Sequence, residues 1–148
     1  AITTVYDLYK LPTDFPGFST RPAGNCFTKA AYLEAEFQQE INHPRFRPYL
    51  QVHEFEALLF VNPEITARMF PETNKLRELQ QIRNGVNSPE EINDGVTTAP
   101  SKRILRLFPN YDKPLYGSLV AIDVGLENIR AECPHFNEWL TWLEGLGG

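Results

Sequence analysis

The chain has 148 residues, a net charge of −5 and a sequence pI near 5.2. Hydrophobic residues make up 42% and charged residues 22%, which excludes a disordered chain or a coiled coil as a description of the whole. No strongly basic balance marks a nucleic-acid-binding surface, although carboxylates that hold magnesium would themselves make a nuclease site acidic. No apolar run approaches the roughly 20 residues of a membrane span, so we predict no association with a membrane.

The two cysteines, Cys26 and Cys133, are isolated and have no CxxC spacing. A disulfide between them stays open on sequence alone, but a reduced, cytoplasmic protein with both cysteines in its core is the simpler interpretation. The length predicts a single domain over residues 1–148. Because the chain begins at Ala1 and enters the β-rich run 2–6 at once, we expect it to be the C-terminal part of a longer polypeptide.

Taken in chain order, the predicted elements place strands early and helices afterwards. A strand over 2–6 precedes a Pro- and Gly-rich loop, and apolar residues at three- and four-residue steps predict a helix over 26–41. The later elements are predicted as a strand over 47–53, a helical turn over 54–60, and helices that begin near residues 62, 75, 88, 98, 115, 126 and 136. We therefore predict an α/β fold, with a partial parallel, Rossmann-like sheet in residues 1–60 and a mostly helical part in residues 61–148.

Acidic residues follow both predicted strands. A strand, a helix and a second strand within about fifty residues form a βαβ unit, whose strands run parallel. Asp7 ends the first strand, and His53, Glu54 and Glu56 follow the second. The carboxyl ends of parallel strands form the ligand-binding edge of an open α/β sheet, and oxygen ligands suit Mg²⁺ or Mn²⁺. We therefore predict a metal site at this edge.

Each of these residues also has a structural interpretation. Charged residues follow many strands simply because loops are solvated. On an α-helix Glu54 and Glu56 would lie about 200° apart, so we expect Glu56 to face the sheet edge and Glu54 to face solvent. His53 ends a predicted buried strand, and the sequence favours a core histidine there over a metal ligand or a base.

A second group of polar residues opens the helix predicted from residue 98. Free backbone donors at its N-terminus, hydroxyls from Thr98 and Ser101, and the nearby Lys102 are suited to holding a phosphate. In the structural alternative, Thr98 or Ser101 caps the helix and Lys102 is solvated. Spacing alone favours the alternative.

Several long segments carry a family resemblance. The segments are Thr3 to Tyr9 with Leu11 to Gly17, Gln51 to Phe60, Ser88 to Gly95 leading into Thr98 to Arg103, and Arg130 to Leu140. Together they resemble the bacterial domain-of-unknown-function family 4276. The matches extend over nearly the whole chain.

This resemblance implies a TOPRIM-like fold, in which a glutamate after one strand and an Asp-x-Asp pair after a later strand hold a divalent metal. Asp7 matches the first aspartate of that pair, whereas Tyr9 stands at the second position. The glutamate-bearing segment is expected upstream of residue 1, so this chain alone is expected to be inactive. The resemblance also implies a role in phage defence or DNA processing, beside an ATPase encoded nearby.

We therefore expect a divalent-metal-dependent nuclease that acts on DNA or RNA. Asp7, Glu54 and Glu56 would hold the metal, with Glu54 and Glu56 also among the catalytic residues. His53 would assist as a base, and Lys102 would hold a phosphate with Thr98 and Ser101. The alternative is a non-catalytic module that docks on the partner ATPase through the aromatic residues Phe136, Trp139 and Trp142. The sequence leaves the oligomeric state open.

Overall fold

The computed structural model describes residues 1–52, 54–92 and 98–146. Its sheet has two parallel strands, β1 (Ile2–Asp7) and β2 (Phe46–Gln51). Their register places Ile2 opposite Phe46 and Asp7 opposite Gln51, so both strands end at the same edge. The predicted βαβ unit is confirmed, although β2 ends two residues earlier than its predicted limit.

The helix between the strands, α1 (Cys26–Ile41), matches its predicted bounds. It begins where the Asn25 side chain accepts a hydrogen bond from the Thr28 N–H group (2.9 Å). It ends where Asn42 adopts a left-handed backbone conformation (φ 45°), directly before His43 and Pro44. Local capping chemistry therefore determines both ends of this helix.

The remaining helices follow β2 and dominate the C-terminal half. They are α2 (Pro63–Arg68), α3 (Leu76–Asn84), α4 (Pro100–Leu107), α5 (Ser118–Val124), α6 (Leu126–Glu132) and α7 (Pro134–Glu144). Short 3-10 helices lie at Leu8–Lys10, Phe55–Phe60, Pro71–Thr73 and Pro89–Glu91, and a π-helical turn at Lys113–Gly117 leads directly into α5. The fold is α/β with a two-stranded parallel sheet and a mostly helical C-terminal half, as predicted.

Helices cover the two faces of the sheet. On one face, Leu33 of α1 packs in an apolar cluster with Leu50 of β2. On the other, the ring of Trp139 from α7 stacks on Tyr49 at 4.7 Å, and its indole N–H group donates to the Thr3 hydroxyl (3.0 Å). Trp139 is therefore part of the internal packing, which accounts for it without a docking partner.

A larger apolar core lies among the helices that follow the sheet. The 3-10 helix Phe55–Phe60 enters it with Leu59 and Phe60 fully buried. Phe70 and Phe108 stack there with ring centroids 4.3 Å apart. The segment directly after β2 thus joins the sheet to the helical half, and it carries Glu56 into the interior.

Two sequence expectations concern the whole chain. Within the described residues, no helix is long and apolar enough to cross a membrane. Cys26 and Cys133 are both free thiols, and Cys133 is completely buried. The prediction that both cysteines lie in the core holds for Cys133, whereas Cys26 is only partly buried.

Candidate acidic site at the sheet edge

Three carboxylates lie at the edge where the strands of the sheet end and the helical half begins. Asp7 is the last residue of β1 and lies opposite Gln51. Glu54 has an extended backbone (φ −142°, ψ 157°) and directly precedes the 3-10 helix that contains Glu56. The exposed fraction is 7% for Glu54 and 2% for Glu56, so both side chains lie inside the protein.

The prediction that Glu54 faces solvent is wrong. It assumed α-helical geometry from residue 54 onward, in which the two glutamates would lie on different sides. Residue 54 is instead extended and the following segment is a 3-10 helix, which turns more tightly than an α-helix. Both glutamates are therefore buried, and the apolar run around them supplies the burial.

The Glu54 side chain bonds to the N-terminal turn of α4. Its carboxylate accepts a hydrogen bond from the Ser101 N–H group at 2.9 Å, which satisfies one of the donors that the first turn leaves free. A negative charge here is also favoured by the helix dipole. The Ser101 N–H group, on which the predicted phosphate site depends, is thus already bonded to a carboxylate.

The other residues of the predicted phosphate site lie around this helix start. The Thr98 carbonyl accepts a hydrogen bond from the Arg103 guanidinium (2.6 Å), and the Lys102 side chain is exposed. Ala99, rather than Thr98 or Ser101, holds the N-cap position of α4, and its side chain makes no capping hydrogen bond. The Glu54 carboxylate supplies a side-chain bond to the first turn, which the structural alternative did not predict.

Glu56 is paired with a cation that sequence analysis missed. The Lys113 ammonium lies 2.9 Å from the Glu56 carboxylate, while the Lys113 side chain is about half exposed. Lys113 starts the π-helical turn before α5, 57 positions after Glu56. No local sequence pattern connects two positions so far apart, so only the fold brings them together.

The ionisation of Asp7 reflects these neighbours. Partial burial raises the pKa of Asp7, and the Lys113 ammonium opposes that effect. The carboxylates of Glu54 and Glu56 raise the pKa of Asp7 further. The three predicted carboxylates and Lys113 are therefore close enough to influence one another electrostatically, whereas His53 lies outside the described residues.

In the described part of the chain, two buried polar groups near these carboxylates lack a hydrogen-bond partner. They are the side-chain amide nitrogen of Gln51, which is opposite Asp7, and the hydroxyl of Tyr111. Burial raises the pKa of Tyr111, and the charge of Glu56 adds to the rise. A buried donor without a partner is costly, so such groups mark places where a ligand or water completes the site.

The carboxylates at this edge meet only some of the requirements for binding a hard cation such as Mg²⁺. Within the described ranges, no group of three His, Cys, Asp or Glu residues is arranged to hold a metal ion. Mg²⁺ does not need such a group, because it is usually bound by one or two carboxylates and completes its shell with water and substrate phosphate. Asp7 and Glu56 fit that smaller requirement by their chemistry.

A further buried glutamate has a structural role. Glu90 is completely buried, and its two carboxylate oxygens accept from the N–H groups of His135 and Phe136, each at 3.0 Å. Burial raises the pKa of Glu90, and these two hydrogen bonds oppose the rise. Glu90 therefore caps α7 much as Glu54 caps α4, which shows that burial alone does not identify a catalytic carboxylate here.

Comparison with known proteins gives the family of the chain. The model of the family described as "Domain of unknown function (DUF4276)" matches residues 1–144, so the chain belongs to this family. Neither the curated proteins nor the solved structures that were compared gave a match. The predicted family membership is confirmed.

Proposed function

We propose that the protein is a divalent-metal-dependent phosphodiester hydrolase, a nuclease of the TOPRIM-like kind, with its site at the acidic sheet edge. The observation that carries the proposal is the convergence of Asp7, Glu54 and Glu56 beside the unpaired amide donor of Gln51. Phage defence or DNA processing with a neighbouring ATPase is the setting that we infer from the family resemblance.

Asp7 and Glu56 are the proposed ligands of Mg²⁺ or Mn²⁺. When bound, the metal would activate water and stabilise negative charge on the phosphate. Among the described carboxylates at this edge, Asp7 accepts no hydrogen bond and forms no ion pair, so it is the one free to take a cation. Its raised pKa means that cation binding competes with a proton at this carboxylate.

The remaining polar groups would serve the substrate. Lys113 neutralises Glu56, which lowers the repulsion that a phosphate meets at an acidic edge. The buried Gln51 amide nitrogen would donate to a water molecule at this edge, and Lys102 would approach the nucleic-acid strand from α4. His53, beside Glu54 in the chain, remains the proposed base or partner of a ligand.

The test is a nuclease assay on the product of the complete reading frame, with Mg²⁺ or Mn²⁺. We expect Asp7→Asn and Glu56→Gln each to lower cleavage by more than about 100-fold, because even outer partners of metal ligands cost up to that much. Asp123→Asn on α5 removes an exposed carboxylate and is the matched control, expected to keep wild-type activity. Unchanged cleavage in both site variants would refute the assignment.

An interaction module is the second candidate, and one observation favours it. Leu115, Leu119 and Ile122 are exposed at spacings of four and three residues, on the opposite side of α5 from the buried Val120 and Val124. This apolar stripe replaces the predicted docking surface, since Trp139 packs internally. Co-migration of the purified protein with the neighbouring ATPase, without any cleavage activity, would favour this candidate over the nuclease.

A further inference from the structure

A cavity of about 440 Å³ lies where the loop after β1 meets α1. This volume is within the range of about 300–1,000 Å³ that is common for small-ligand sites. Leu8 and Tyr9, which directly follow Asp7 in the chain, line the cavity. We call it the loop pocket.

The loop pocket combines an apolar wall with two cations. Leu8, Leu33, Tyr9 and Phe18 supply the apolar and aromatic surface, and Lys29 and Arg21 supply the charge. Within the described part of the chain, neither cation forms an ion pair with a carboxylate. With two cations and one carboxylate, Glu91, in its lining, the pocket has a net positive charge, although the protein as a whole is acidic.

Arg21 is held in place before any ligand arrives. Its guanidinium lies 3.8 Å from the ring centroid of Phe18, and it donates one hydrogen bond to the Phe18 carbonyl (2.7 Å). That bond uses one of the five guanidinium N–H groups, which leaves the others for an anion. An oriented guanidinium loses less entropy when it binds a phosphate than a free side chain does.

One carboxylate lines the loop pocket but is already engaged. Glu91 accepts hydrogen bonds from the backbone N–H groups of Asn87 (2.8 Å) and Ser88 (3.3 Å). These bonds form part of the capping box of the 3-10 helix Pro89–Glu91. One oxygen of Glu91 is therefore engaged in the local fold, and in the described part of the chain Glu91 forms no ion pair with Arg21 or Lys29.

We propose that the loop pocket binds one nucleotide unit of a single-stranded nucleic acid. Arg21 and Lys29 hold its phosphate, and the base lies against Tyr9 and Phe18. Aromatic side chains beside cations are the usual means of holding an unpaired strand without sequence preference. The inference rests on the proposed function, because the strand then passes from this pocket to Asp7 for cleavage.

The proposal also gives Tyr9 a role. Tyr9 lines the pocket and is 43% exposed, so its ring is accessible to a ligand. A tyrosine here offers a surface for stacking and places no negative charge beside the bound phosphate.

The test measures binding without cleavage. Fluorescent 12-residue oligo-dT and oligo-dA are titrated with the protein in EDTA, by anisotropy, and compared with a duplex of the same length and with free dTMP. We expect the single strands to bind more tightly than the duplex. The double variant Arg21→Gln/Lys29→Gln should weaken strand binding by at least about tenfold, through loss of its phosphate contacts, and Tyr9→Ala should also weaken it.

The control variant Arg45→Gln/Arg77→Gln removes the same charge from exposed positions and is expected to leave binding unchanged. Equal affinity of the Arg21→Gln/Lys29→Gln variant and the wild type for the single strands would overturn the proposal. It would also be overturned if the wild type bound dTMP or the duplex but not the single strands. Failure of the nuclease proposal is seen separately, as a wild-type protein that binds strands in EDTA but cleaves none with Mg²⁺ or Mn²⁺.

Discussion

Buried and partly buried glutamates in this protein bond to the backbone of distant segments. Glu34 of α1 accepts from the Leu50 N–H group of β2 (2.7 Å) and also from the ring of His135 (2.9 Å). Glu54 and Glu90 bond to the first turns of α4 and α7. A single carboxylate oxygen thus satisfies a donor that an apolar side chain would leave unpaired. These bonds tie the sheet to the helices around it.

The pair of His135 and Glu34 predicts a pH dependence of stability. Burial lowers the pKa of His135, but the hydrogen bond and the charge of Glu34 outweigh it, and the pKa rises above its usual 6.5. Because folding raises this pKa, the stabilisation is complete below pH 6.5 and is lost as pH rises through the folded-state pKa. We expect the free energy of unfolding, from urea titrations, to fall between pH 6 and 9.

A second histidine provides the control for this dependence of the free energy of unfolding on pH. His135→Gln should flatten the dependence, whereas His43→Gln, at an exposed turn, should leave it as in the wild type. Staying above pH 6 keeps ordinary carboxylates ionised. An identical slope in all three proteins would show that His135 is not the responsible group.

For the secondary-structure elements, the sequence predicted the helix ends that depend on neighbouring residues, but not the contacts between residues far apart in the chain. Asn25 and Asn42 determine the ends of α1, and the sequence predicted its bounds without error. The orientation of Glu54 depended on whether the chain formed an α- or a 3-10 helix, which an apolar run does not decide. Lys113 and the unpaired Gln51 amide became visible only in three dimensions, because each depends on a partner or neighbour far along the chain.

The break between α5 and α6 predicts a glycine requirement. Gly125 has φ 82° and ψ 145°, a conformation almost restricted to glycine, while a Cβ atom built there would meet nothing within 4 Å. The cost of Gly125→Ala is therefore conformational, and we expect a loss of about 1–3 kcal/mol in the free energy of unfolding. Urea denaturation measures it.

Gly85 is the matched comparison at the end of α3. Its φ of −79° is open to any residue, and a Cβ atom there would contact only backbone oxygens, at 3.4 Å and beyond. We expect Gly85→Ala to change the free energy of unfolding by less than about 1 kcal/mol. The change should be an increase, because alanine restricts the unfolded chain more than glycine does. Equal losses at both glycines would rule out backbone conformation as the cause.

For the whole molecule, the partial burial of the Asp7 carboxylate and its repulsion by Glu54 and Glu56 should lower thermal stability. Because the charged form of Asp7 is disfavoured in the fold, Asp7→Asn should raise the unfolding midpoint in metal-free buffer. Mg²⁺ at about ten times its dissociation constant should stabilise the wild type by about 1.4 kcal/mol, a shift of a few degrees. The same addition should not stabilise the variant.

Calorimetry or fluorescence melting measures the shift of the unfolding midpoint. NaCl at matched ionic strength is the control, because the net charge of −5 makes the stability of the fold sensitive to salt screening alone. EDTA should reverse the shift in the wild type. A Mg²⁺ response of equal size in Asp7→Asn would place any bound metal elsewhere in the protein.

The bond from Leu50 to Glu34 has a consequence for the sheet itself. On the outer side of β2, the Phe46 N–H group is bonded to the His43 carbonyl (3.0 Å), Pro48 has none, and Leu50 is bonded to Glu34. That side offers no donor to another strand. A strand that paired with β2 would therefore receive no backbone donors from it, which favours pairing beside β1, next to Asp7, and would bring the added strand against the proposed acidic site.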